Sequence, residues 1–134
     1  MMRPRRAVFD TNIFVAAAFN EQTLSALLVR HARAGRILLI WNRNTRRETE
    51  RTIAKIPPVH RFSLEGLFLT EGRFDKPTNA QKFTYVLHVP DRKFAALALA
   101  AKAPLVTRDT DLLNTRDQGR AVVFTPEEFH PGST

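Results

Sequence analysis

Cysteine is absent from the 134 residues. That excludes a disulfide framework and any thiolate metal site, and it fits a reducing compartment, so a cytoplasmic location is expected. Histidine is scarce as well. His31, His60, His88 and His130 are scattered without a paired ligand spacing, so a zinc centre is not expected. No window holds the roughly 18 uninterrupted apolar residues of a spanning helix, and no membrane partner is expected. The segment closest to a targeting signal is the basic stretch 1–6 leading into AVFDTNIFVAA at residues 7–17. Asp10 breaks its apolar run with a charge that is costly to place in lipid, which argues against a signal peptide.

Acids are in the minority: 13 Asp and Glu against 21 Lys and Arg, a formal net charge of +8. An excess of this sign is the electrostatic footprint of a protein that meets phosphate backbones, although an arginine-rich solvated surface would give the same total. Hydrophobic residues make up 43% of the chain, enough for a packed globule. The length predicts one domain over residues 1–134.

The chain alternates apolar runs with helical periods. Residues 6–9 (RAVF) and 37–41 (ILLIW) read as buried strands. Between them, Leu24, Leu27, Leu28, His31 and Ala32 fall at helical spacing, and Gly35 stands where a C-terminal cap belongs, which predicts a helix over 22–34. Thr49, Ile53 and Ile56 share one face of a helix over 42–56, ended by Pro57 and Pro58. A short helix over 62–69, a strand over 73–76 and a turn at 77–79 are expected in the less periodic middle. Beyond Pro90, residues 94–101 are apolar almost all round and predict a deeply buried helix. Two short strands, 105–107 and 121–124, and a helical turn at 126–129 complete the pattern. Alternating strands and helices imply parallel crossovers, hence an α/β fold with a sheet covered on both faces.

In such sheets, function gathers at the carboxyl ends of the strands. Asp10 ends the first strand and Asp109 follows a later one; Glu48 lies near the start of the second long helix, and Asp91 at the start of the alanine-rich one. Carboxylates about 4 Å apart repel by roughly 4 kcal/mol at an effective dielectric near 20, so several can stay ionised together only with compensation. A hard divalent cation, Mg²⁺ or Mn²⁺, would supply it through oxygen ligands. Each acid also has an ordinary use: Asp91 as an N-cap, Thr45 and Glu48 as a capping box, Asp109 and Asp111 as turn residues. Asp10 is harder to explain structurally, because a carboxylate closing a central strand needs a partner. Asn12 suits either a local turn or the orientation of Asp10, and Thr107 stands where it could play the same orienting part.

Three motifs, in this order, resemble the PIN-domain ribonuclease family: FDTNIF at 9–14, DRKFAALA at 91–98 and LVTRDTDL at 105–112. The resemblance covers roughly 6–20, 37–56 and 89–129. It implies a Rossmann-like three-layer fold with a mostly parallel five-stranded sheet, and metal-dependent endonuclease cleavage of RNA. It also makes Asp10, Asp91 and Asp109 metal-site acids. The remaining acid belongs on the helix after the second strand, where helical phase leaves Glu48 and Glu50 open; the family pattern selects Glu48. Asp111 is then an auxiliary ligand or a helix cap. Small members of the family are toxins restrained by an antitoxin protein and are commonly homodimers.

Arg43, Arg46, Arg47 and Arg108 are candidates for holding RNA, with a solvated basic face as the alternative. Trp41 is read as core rather than as a base-stacking platform. Two rival classes are a catalytically inactive nucleic-acid-binding relative and a phosphatase using Asp10 as an aspartyl nucleophile. The second would need another Asp where this chain has Asn12.

Overall fold

The computed structural model describes residues 3–130. Strand β1 (Arg5–Phe9) runs into helix α1 (Thr11–Phe19), followed by α2 (Leu24–Arg33), β2 (Ile37–Leu39) and α3 (Arg43–Ala54). After a long section of turns come α4 (Arg92–Ala101), β3 (Leu105–Val106), α5 (Thr110–Asn114), β4 (Val123–Phe124) and α6 (Pro126–Phe129). All strand pairs are parallel, in the order β2-β1-β3-β4.

Side-chain alternation along the strands divides the core. Ala7, Phe9, Ile37, Leu39 and Val106 face a cluster completed by Ile13 and Phe14 of α1, Leu28 of α2, Ile53 of α3 and Phe129 of α6. Val8, Ile40 and Leu105 face the other way, onto Phe94, Leu97 and Ala98 of α4. A sheet between two helical layers is the predicted arrangement. Phe94 is only 1% exposed, so truncating it to Ala is expected to cost about 3–5 kcal/mol.

Several elements depart from the sequence reading. The sheet has four strands among the described residues, not five. The strand expected at 73–76 shrinks to a single bridge between Arg73 and Trp41. No helix forms over 62–69, which is a series of turns, and the turn placed at 77–79 is replaced by a bend at Lys76 and a 3-10 turn at Ala80–Lys82. Helix α1 was not foreseen. Its sequence TNIFVAAAF is apolar on nearly every side, so no 3.6-residue stripe marks it.

Caps fix the remaining ends. Gly35 does take a left-handed φ of +81° after α2. The capping box of α3 sits one turn earlier than expected: Asn42 accepts from the Thr45 backbone N–H, and the Thr45 hydroxyl accepts from that of Asn42. Glu48 is thereby free of any capping duty.

Gly72 makes a different kind of contact. A side chain there would place its Cβ 1.8 Å from the Leu39 carbonyl oxygen, so only glycine lets the turn segment lie against the end of β2. The Gly72 carbonyl then accepts from Trp41 N–H at 3.0 Å. No single helix among the described residues is long and apolar enough to cross a membrane.

Candidate functional site

β1 and β3 are neighbours in the middle of the sheet, and each gives way to a polar residue at its carboxyl end: Asp10 after Phe9, Thr107 after Val106. The Thr107 hydroxyl donates to Asp10 Oδ2 at 2.6 Å and accepts from the Asp109 backbone N–H at 2.9 Å. One buried threonine therefore fixes two acids relative to each other. Asp10 is 1% exposed, and burial pushes its pKa up to about 6. The Thr107 hydroxyl opposes that shift, the charge of Asp109 adds to it, and the backbone N–H groups of Thr11 and Asn12 oppose it. The Asn12 side chain itself points into solvent-exposed surface, so its influence on Asp10 comes through its backbone.

Asp91 occupies the N-cap position of α4 but makes no capping hydrogen bond. Among the described residues its Oδ2 is buried without a hydrogen-bond partner, and His88 Nδ1 lies 3.1 Å away as an ion-pair neighbour. Burial raises the Asp91 pKa, the charge of Asp10 and the neighbouring Asp109 carboxyl raise it further, and His88 opposes them. Oxygens of Asp91, Asp109 and Asp111 all come within 4.8 Å of one another. Asp109 also caps α5, accepting from Asp111 N–H at 2.8 Å, while Asp111 Oδ2 accepts from His88 N–H at 3.0 Å. The turn-residue reading of these two acids is thus true as well as their convergence.

Asp10 and Glu48 lie outside that compact trio. Asp10 joins it through Thr107. Glu48 faces the same side from α3, where its neighbour Thr49 shares a hydrogen bond of 2.9 Å with Thr11, but its carboxylate is drawn toward Lys93 Nζ at 3.9 Å. An all-oxygen set in which Asp91 Oδ2 is buried without a hydrogen bond among the described residues, and in which Asp10 and Asp91 both have raised pKa values, suits a hard divalent cation. Lys93 and His88 were not singled out from sequence, because no pattern distinguishes either from an ordinary exposed side chain.

The arginines divide. Arg108 is committed to Ser25 Oγ at 3.1 Å and Glu127 at 2.9 Å. Arg46 pairs with Glu50 at 3.2 Å and lies over Trp41 and Phe68. Arg43 and Arg47 are exposed, with no ion-pair partner among the described residues. Trp41 is 8% exposed and donates from Nε1 to the Leu69 carbonyl at 2.7 Å, as a core residue does.

The parallel three-layer sheet has a counterpart among known proteins. The profile of the PIN domain matches residues 6–111, most of the chain, and the protein belongs to the PIN-domain family. PIN domains are generally nucleases that use divalent metals. The fold is also similar to two solved structures. The crystal structure of FitAcB from Neisseria gonorrhoeae aligns with a TM-score of 0.60 at 19% identity, covering 90% of this chain and 98% of that one. FitAB bound to an IR36 DNA fragment aligns with a TM-score of 0.57 at 18% identity, covering 90% and 94% respectively. No curated protein matches the sequence.

Proposed function

We propose that this PIN domain is a metal-dependent endoribonuclease and the toxin half of a toxin–antitoxin pair, acting in the cytoplasm as a homodimer. The observation that carries the nuclease reading is the buried Oδ2 of Asp91, without a hydrogen bond among the described residues and set among converging acids, with Asp10 held beside them by Thr107. Such an arrangement costs stability unless a cation sits against it. The toxin reading rests on the family resemblance and on the likeness to the FitAcB and FitAB structures.

Asp10, Glu48, Asp91 and Asp109 would hold Mg²⁺ or Mn²⁺, with Asp111 as a further oxygen donor. When bound, such an ion polarises a phosphoryl oxygen and lowers the pKa of water. The chain does the rest. Thr107 keeps Asp10 oriented and favours its charged form. Lys93 positions Glu48 at the rim, and the exposed Arg43 and Arg47 face outward on the helix that carries it. RNA enters as a polyanion attracted by the +8 surface and meets the acids only where a cation has neutralised them.

Cleavage of a labelled single-stranded RNA with Mg²⁺ or Mn²⁺, with EDTA, and by Asp10→Asn tests this. Metal-dependent cutting lost in EDTA and in the variant is the expected result. RNA that is bound but never cut in any condition would leave an inactive nucleic-acid-binding PIN domain instead.

A further inference from the structure

At the end of β2, next to the strand that leads into Asp10, lies an open cleft of about 380 Å³ lined by Trp41, Arg43, Arg46, Arg47, Glu50 and Arg73. Building on the nuclease reading, we infer that this cleft is a subsite for a nucleotide flanking the scissile bond, in which Arg43, Arg47 and Arg73 grip the RNA phosphate backbone. Arg73 opens the segment expected from sequence to be a strand over 73–76, of which the structure keeps one bridge. It reaches the cleft because Gly72 packs flush on Leu39 and because Trp41 and Arg73 form a parallel bridge.

The four arginines are not equivalent. Arg46 is a strut, held by Glu50 and by the rings of Trp41 and Phe68, and it shapes the wall. Arg73 also lies over Trp41, at 5.8 Å, and its partner Asp75 is largely exposed. An exposed pair of that kind is weak, so the guanidinium can exchange Asp75 for a phosphate. Among the described residues Arg43 and Arg47 have no acid to give up. The floor is Trp41, sealed by its bond to Leu69, so the cleft offers cations and no free aromatic face. That chemistry fits a phosphodiester rather than a stacked base.

Position supports the assignment. β2 pairs with β1 in a parallel register that matches Ala7 with Leu39, and carried two residues on it sets Trp41 level with Phe9, just before Asp10. Adjacent strands are about 4.8 Å apart, so the backbone of Trp41 in the cleft lies about one strand spacing from the end of β1 that carries Asp10. Arg47 and Glu48 are consecutive on α3, which makes the same helix serve both regions.

The test is binding of a labelled, unstructured RNA of about ten nucleotides, a length in the range of single-strand sites. It is run in EDTA, so that binding is read without cleavage, and across about 50 to 200 mM salt. Arg43→Gln, Arg47→Gln and Arg73→Gln are compared with Arg36→Gln, an exposed residue at the amino end of β2, the end of that strand away from the cleft. Each cleft variant is expected to weaken binding about three- to tenfold and to flatten the salt slope by about 0.7. Arg36→Gln should stay within about twofold. Thermal melting checks that all variants fold, and Arg73→Lys, which keeps the charge without the planar fork, should fall between parent and Arg73→Gln. Losses equal to that of Arg36→Gln, or a parent that does not bind RNA at all, would overturn the subsite. A protein that binds through the cleft but never cuts would sink the nuclease reading alone.

Discussion

Two regions at the same edge of the sheet carry opposite charge and are built on opposite terms. In the acid crevice the charged groups are interred: Asp10 is 1% exposed and Asp91 8%, both with raised pKa values. In the arginine cleft they stand on long stems in solvent, and Arg46 and Arg73 are each neutralised by a neighbouring acid. Packing imposes the first arrangement and could not hold the second, because a buried like-charge cluster needs a rigid frame whereas an exposed one relaxes. Substitutions should therefore separate the two. Acid variants change stability and chemistry together, while arginine variants change affinity alone.

The largest effect is expected for Asp91→Asn, which keeps the shape of the residue and removes its charge. RNA cleavage should fall about a thousandfold or more. Single-turnover rates check this, and a loss under tenfold would place Asp91 outside the chemistry.

Next comes pH. A carboxyl group whose folded pKa is raised stabilises the fold while protonated, and that contribution is lost as pH rises. For Asp10 the window runs from 3.8 to about 6, and burial at 1% exposure makes the loss about 3 kcal/mol. Metal-free protein should melt lower at pH 7 than near pH 4.5, after allowing for other groups by comparison with Asp10→Asn. That variant should be the more stable of the two at pH 7, and the difference should vanish at low pH.

A smaller change is expected at Thr107. Thr107→Val removes the donor to Asp10 and the acceptor for Asp109 N–H, and should reduce cation affinity and cleavage about ten- to hundredfold. Thr107→Ser retains the hydroxyl and should restore most of both. The smallest effect is expected for Glu127→Gln. It releases Arg108 from an exposed pair and should alter stability by less than about 1 kcal/mol by denaturant titration.

The acids were legible in sequence because each terminates an element whose own pattern is clear: RAVF before Asp10, the alanine-rich run after Asp91, LVT before Asp109. The same clarity gave the parallel three-layer arrangement. Helix α1 escaped because a segment apolar all round has no face to detect, and the fifth strand failed because its segment pairs at a single bridge, closed by Trp41 N–H to the Gly72 carbonyl and Phe74 N–H to the Trp41 carbonyl. Glu48 was separable from Glu50 only by family pattern. The structure adds a physical distinction, since Glu50 is tied to Arg46 while Glu48 turns toward Lys93 beside Asp91. Nothing in one sequence could say that Arg108 is consumed by Ser25 and Glu127, or that Arg73 stands beside Arg43, because those pairings are made across long stretches of chain.

The central claim is that the buried carboxylates, held together by packing, bind a divalent cation. Titration of Mn²⁺ into the parent and Asp10→Asn at pH 7, followed by electron paramagnetic resonance of the free ion, addresses it most directly. The account predicts saturable binding by the parent, weakened at least about tenfold in the variant. Equal binding by both proteins, or none by the parent, would contradict it.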